Sequence, residues 1–361
     1  MAVFKKIIMA IICLALVFLS INIVKSQAFY EVSEKIACFS AMINMPDAMS
    51  QMLSPSEISE HEVIDNISTV APPQEESEAS LEEPVESETA PVVNETANIE
   101  GKIISQVLSA YRANTIFNNI YVNNKCSYPL DIKNELSQPF NMRFSNKDEP
   151  QVLIYHTHAT ESYMMEARDF YTSDDRTRTT DTNYNMVKIG DKVAQKLSDA
   201  GIGVIHDKTL HDYPAFTGSY SRSAKTIEKH LKENPGIKII IDLHRDSISS
   251  GKTDKVAPVV EINGKNAVQV MLVTGSETGG VEGYPNWKEN LRLSLRLQQT
   301  MEVMYPGLAR AMQFDSTKYN QHLSSGAMLI EMGTEANSLE QAEYSAELVG
   351  NSLISLINTL K

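Results

Sequence analysis

The sequence predicts an α/β domain with a mostly parallel sheet and helices on both faces, preceded by a membrane anchor and a disordered acidic linker. Three observations predict it. From about residue 150 onward, short apolar runs alternate with segments of helical periodicity. Ionisable residues follow several of those runs at once, and open parallel sheets place their sites at the carboxyl ends of their strands. Composition also changes sharply near residue 101: the stretch before it is rich in Glu and Pro, the stretch after it is not.

The elements are taken in chain order. Lys5 and Lys6 precede an apolar run from Ile7 to Val24. Roughly 18 residues is about the minimum for a helix crossing a bilayer core of ~30 Å. Positive charge before the run predicts a cytoplasmic N-terminus and an exported remainder. The alternative is a cleaved signal peptide, for which Ser26-Gln27-Ala28 is the nearest approach to a cleavage signal. The expected division is an anchor over 1–28 and a juxtamembrane segment with acidic linker over 29–100. A connecting region over 101–145 and a catalytic domain over 146–361 follow. Between Ala71 and Glu100 there is no Lys, Arg or aromatic residue, and Pro72, Pro73, Pro84 and Pro91 interrupt any helix. Such a stretch cannot bury enough apolar surface to offset its ordering entropy.

Ile103 to Arg112 reads as helical. Val152-Leu153-Ile154-Tyr155 suits a buried strand, Met186–Ala200 a helix ended by Gly201, and Gly203-Val204-Ile205 the next strand. Ser221–Asn234 is a helix ended by Pro235-Gly236, and Lys238–Leu243 is the strongest strand signal in the chain. Val256–Ile262 and Val268–Thr274 are two further strands. Asn286–Met304 is a long helix ended by Pro306-Gly307. Ala327–Glu331 is a strand and Leu339–Leu360 the final helix.

Three of these strands deliver reactive side chains to one sheet edge. His156 and His158 follow the first; Asp242, His244, Arg245 and Asp246 close the second; Glu331 closes the third. His158 and His244 with one carboxylate make a zinc-ligand set of the catalytic type. Glu331, at the end of an apolar strand, is the expected general base, its pKa raised by burial. Glu161 or Asp181 supplies the third ligand. Glu161 stands three residues after His158, whereas Asp181 lies just before a helix start, where an N-terminal carboxylate is also ordinary. His156, Asp242 and Asp246 are expected to support the ligands from behind, and Arg245 to assist catalysis. His206, His211, His230 and His322 read as surface or loop residues.

Composition excludes several other functions. Lys and Arg number 32 against 46 Asp and Glu, a net charge of −14, so no nucleic-acid partner is expected. The three cysteines, Cys13, Cys38 and Cys126, form no CxxC pair, so a metal must be held by His and carboxylate. No G-x-S-x-G elbow, phosphate loop or dinucleotide fingerprint follows a strand.

The blocks Val152–Tyr163 (VLIYHTHATESY), Ile241–Ser247 (IDLHRDS) and Leu329–Gly333 (LIEMG) resemble the stage II sporulation protein P family. The resemblance covers roughly residues 150–355. It implies an amidase-like domain and a zinc-dependent N-acetylmuramoyl-L-alanine amidase, which cleaves peptidoglycan between the lactyl group of the glycan and the stem peptide. It also implies an endopeptidase activity on cross-links, action at the sporulation septum during engulfment, and stage II sporulation proteins D and M as partners. Carried over by position, His158 and His244 look like ligands and Glu331 like the catalytic carboxylate. The carboxylate ligand of the wider amidase fold would fall near Asp181, while the first block itself contains Glu161. The competing readings are a wall-binding module that cuts nothing and a scaffold of a septal complex.

Overall fold

The computed structural model describes residues 67–69, 98–140, 142–144 and 149–360. The chain separates into units over 1–65 and 66–361, and the first lies outside the described residues, as do the expected anchor and most of the acidic linker. Among the described residues no helix is long and apolar enough to cross a membrane.

The strands are β1 (Ile67–Thr69), β2 (Ile99–Gln106), β3 (Thr115–Phe117), β4 (Ile120–Asn124) and β5 (Val152–Tyr155). Next come β6 (Phe170–Thr172), β7 (Val204–His206), β8 (Ile239–Asp246), β9 (Ile248–Ser250) and β10 (Asp254–Ile262). The last four are β11 (Lys265–Val268), β12 (Val270–Gly275), β13 (Met312–Asp315) and β14 (Ala327–Thr334). The helices are α1 (Ile132–Ser137), α2 (Met186–Asp199), α3 (Ser219–Glu233), α4 (Trp287–Met304) and α5 (Leu339–Thr359).

Two sheets form. The larger has the order β3-β4-β13-β12-β14-β8-β5-β7, the smaller β1-β9-β10-β2-β6 with β11 on β10. Neighbours β7, β5, β8 and β14 run parallel. However, β12 runs against β14 and β3 against β4, and the smaller sheet is largely antiparallel. The expected mostly parallel sheet is therefore corrected to two mixed ones. A parallel neighbour requires a crossover, usually a helix. Between β8 and β12 the chain supplies strands instead, including the β10–β11 hairpin turned at Asn263-Gly264, both at positive φ.

The expected helix over 103–112 is also corrected: β2 occupies its beginning and turns the rest. Ile103 and Ile104 are β-branched, and β2 pairs with β10, burying Ile103 while Ile104 stays half-exposed.

In β5, β8 and β14 every residue is buried, which is why each of these strands opens on an apolar run, although Asp242, His244 and Glu331 lie within β8 and β14 rather than beyond them. Val152, Ile154, Ile239, Ile241, Leu243, Met328 and Ile330 face the side covered by α2, α4 and α5. Leu153, Tyr155 and Ile240 face the other side, against Ile227 of α3. Helices thus cover both faces of the larger sheet. On β8 the alternation puts Asp242, His244 and Asp246 on the α3 side with Ile240.

Candidate metal centre

His158 and Glu161 meet because the chain turns directly after β5. The Glu161 N–H donates to the His158 carbonyl at 3.3 Å, and the two side chains come within 3.5 Å, Nδ1 to Oε1. The turn is pinned on both flanks. Thr179 N–H donates to Thr160 O, Met186 N–H to Glu161 O, and Met164 exchanges backbone bonds with Asn337 and Leu339.

His244 reaches the same point from β8, its Nδ1 3.6 Å from Glu161 Oε2. The rings of His158 and His244 stand edge to face at 5.0 Å. One ligand atom from each of His158, Glu161 and His244 lies within 4.8 Å of the others, and all three residues are buried. Glu331 is the register partner of His244 on the adjoining parallel strand, so the two side chains leave the sheet side by side.

The donor set fits a metal of the zinc type, two imidazoles and one carboxylate. The polar accounting fits as well. His158 Nε2 and Glu331 Oε2 are buried without a hydrogen-bond partner, although buried polar atoms are rarely left so. His244 Nε2 lies 2.8 Å from Asp242 Oδ1, off the line of a well-formed hydrogen bond. A carboxylate behind the far nitrogen of a histidine is the arrangement that orients metal-ligating imidazoles. Asp242 is itself fixed by Thr157, whose N–H donates to Oδ1 at 2.8 Å and whose hydroxyl donates to Oδ2 at 2.7 Å.

Burial alone would raise the Glu161 pKa, but His158, His244 and Arg245 outweigh it and hold the carboxyl well below its usual range. Burial would lower His244, but Asp242 and Glu161 outweigh it and hold the imidazole well above its usual range. His158 goes down, mainly by burial. Glu331 is pushed up to about 8, first by burial and then by the neighbouring Asp246 charge. Asp246 is paired with Arg310 at 2.9 Å.

The expected residues fall into two sets. His158, Glu161, His244, Asp242, Asp246 and Glu331 stand together. Asp181 does not join the group: its Oδ1 accepts from the N–H and amide of Asn183, both at 2.9 Å. The Arg245 backbone N–H donates to Glu161 Oε2 at 3.1 Å. Its guanidinium is occupied by the carbonyls of Ser162 and Thr177. His156 follows Ile154 to the α2 side of the sheet, bonded to Leu243 O and to His206 Nε2. Of the histidines read as surface, His211 is buried, its Nδ1 on the carbonyl of His156 at 2.7 Å.

Sequence reasoning missed the aromatic wall. Phe216 stacks on His158 at 4.5 Å, and Tyr220 meets the same ring edge-on at 5.7 Å. Arg178 lies over Phe216 and bonds Asp212 Oδ2 at 2.7 Å. The available signal was the spacing of Tyr213, Phe216 and Tyr220 just ahead of a helix.

A family model described as Stage II sporulation protein P (SpoIIP) matches residues 31–353. The stage II sporulation protein P of Bacillus subtilis (strain 168) is 33% identical over 210 residues, 55% of this chain and 49% of that one. The chain thus spans about half the length of this curated relative. Among solved structures, the N-acetylmuramoyl-L-alanine amidase AmiC2 of Nostoc punctiforme is 13% identical, with a TM-score of 0.35 over 60% of this chain and 97% of that one. The CwlD amidase from Clostridioides difficile, in complex with the GerS lipoprotein, is 13% identical, with a TM-score of 0.38 over 58% and 98%.

Proposed function

Because the chain belongs to the stage II sporulation protein P family, we propose that it is a zinc-dependent peptidoglycan hydrolase of sporulation, an N-acetylmuramoyl-L-alanine amidase. The observation that carries this reading is the convergence of His158, Glu161 and His244 beside a buried carboxyl, Glu331, that has an unpartnered oxygen. His158, Glu161 and His244 would hold the ion. When bound, zinc supplies Lewis acidity, polarising a carbonyl and lowering the pKa of water toward neutrality.

The residues divide the rest of the work. Asp242 orients His244, and the Arg245 N–H orients Glu161. Glu331 takes a proton as a water oxygen adds to the amide carbonyl carbon. When the carbon–nitrogen bond breaks, Glu331 returns that proton to the leaving amine, so that one amide and one water give one acid and one amine. In the metal-free chain the Glu331 pKa is about 8; a bound cation would lower it toward working pH, which suits both directions of that transfer. The substrate is the bond between the lactyl group and the stem peptide. The same groups acting on a cross-link would give the endopeptidase activity. Anchoring by residues 1–28, an extracytoplasmic site at the sporulation septum, and assembly with stage II sporulation proteins D and M complete the proposal.

Purified sacculi incubated with the full chain should release stem peptide. Release should stop with a chelator and return with added zinc. Undiminished release in the chelator overturns the reading.

A further inference from the structure

Tyr220 stands over this site and holds none of its ligands. It lies in the first turn of α3, its ring edge-on to His158 and 6.4 Å from the ring of Tyr319. It packs against the buried cluster formed by Met271, Val273, Tyr319 and Leu329. Leu329 is two residues before Glu331 on β14, on the same face of the strand. Tyr220 therefore touches the first histidine and packs against the cluster that contains Leu329, on the same strand and face as the buried carboxyl. Its hydroxyl is buried and has no hydrogen-bond partner.

Three more polar atoms of the neighbouring cluster share that condition, His158 Nε2, His244 Nε2 and Glu331 Oε2. A buried hydroxyl left unpaired is destabilising, and a phenyl ring of the same shape would avoid the cost. Neighbouring side chains offer the hydroxyl little: both oxygens of Asp242 are engaged by Thr157, and Tyr319 donates to Asp315 at 3.0 Å. A phenol, with an ordinary pKa of about 10, is protonated near neutral pH and has a proton to offer. A group arriving at the site with an oxygen acceptor would complete it.

We propose that the Tyr220 hydroxyl is a catalytic hydrogen-bond donor to the oxygen of the scissile amide carbonyl, strengthening as negative charge gathers there. The role rests on the hydrolase reading above. No bond to the tyrosine forms or breaks. The phenol keeps its proton, and proton transfer runs only between water, Glu331 and the leaving amine.

The test is Tyr220→Phe in the full chain, with stem-peptide release, zinc content and the Tm of the metal-free protein measured together. The expected result is a fall in kcat of about 10²–10³-fold, as for loss of one oxyanion donor. KM should move little, zinc content should not change, and Tm should be equal or higher. Release close to that of the parent chain overturns the donor role alone. A Tm that falls along with activity also overturns it, because the hydroxyl is then structural. If the parent chain releases no stem peptide, the hydrolase reading fails and the donor role falls with it.

Discussion

Two groups of two histidines and one carboxylate lie on opposite sides of β5 and β8, and they differ in how far their polar atoms are satisfied within the chain. On the α3 side stand His158, His244 and Glu161; on the α2 side stand His156, His206 and Asp191. His156 and His158 are two residues apart, and both are buried. The α2-side group closes on itself. His156 Nδ1 faces the carbonyl of Leu243 at 2.9 Å and must donate to it. Its Nε2 is left to accept from His206 Nε2 at 2.8 Å, and His206 Nδ1 meets Asp191 Oδ1 at 2.9 Å. Every ring nitrogen there has a partner. The α3-side group leaves His158 Nε2 and the adjacent Glu331 Oε2 without one. Residue type and burial are therefore alike on the two sides; what differs is that the α3 side keeps buried polar atoms without partners.

The comparison breaks most sharply by removing one imidazole from each side. His244→Ala should abolish zinc retention and stem-peptide release. Asp242→Asn, which removes only the carboxylate behind that ring, should weaken zinc about 10–100-fold. His206→Ala should lower Tm, because it leaves His156 Nε2 buried and unpaired, while zinc content stays near that of the parent chain. Zinc content after dialysis checks all three, and loss of zinc in His206→Ala would show that the two groups act as one.

A smaller effect tests how tightly the closed group is packed. Gly190 sits in α2 against both rings: a Cβ there would lie 2.7 Å from His156 Nε2 and closer still to His206. Gly190→Ala gains about 1 kcal/mol of helix propensity. It must also push the buried imidazoles apart, and overpacking of this kind costs about 1–3 kcal/mol in addition to their hydrogen bond. Thermal unfolding should show a lower Tm with unchanged zinc content. An unchanged Tm would mean that the α2-side group is loosely held.

The same contrast explains what the sequence could show. The apolar runs before His158, His244 and Glu331 are legible because the opening residues of strands buried on both faces are apolar, although β8 and β14 continue past Asp242, His244 and Glu331. That placed the three side chains at one edge and made Glu161 a candidate. Deciding between Glu161 and Asp181 required the turn that joins His158 to Glu161 and the Asn183 bonds that occupy Asp181, neither of which has a periodicity. Strand alternation would put His156 on the same side as His158, but the strand ends at Tyr155 and alternation ends with it. In the smaller sheet Val256–Ile262 of β10 is legible as a strand, but β2 is not: it is only partly buried, so its pattern is diluted, and 103–112 fits helical spacing as well as strand spacing. The orphaned atoms, which distinguish the two histidine groups best, are a property of packing alone.

The smallest effect concerns protons. In the metal-free chain Asp242 and Glu161 hold His244 well above its usual pKa, whereas burial and the His206 charge lower His156 to about 3. The signs oppose. A raised folded pKa makes the His244 contribution to stability complete below about 6.5 and lost as pH rises through the folded value. A lowered one makes the His156 contribution complete above about 6.5 and lost as pH falls toward 3. Zinc requires a neutral imidazole, so binding must expel the proton that His244 holds near pH 7. Apparent affinity should then rise about tenfold per pH unit from 6 upward until the His244 pKa is reached. Calorimetry in buffers of different ionisation enthalpy should count about one proton released from His244, to which Glu331, with a pKa of about 8, adds its own fraction. Glu331→Gln removes that fraction and leaves the rest. His206→Ala should change neither the count nor the slope, because His156 is already neutral at these pH values. A proton count of zero in the parent chain would mean that His244 is neutral before zinc arrives, and that Asp242 orients the ring without charging it.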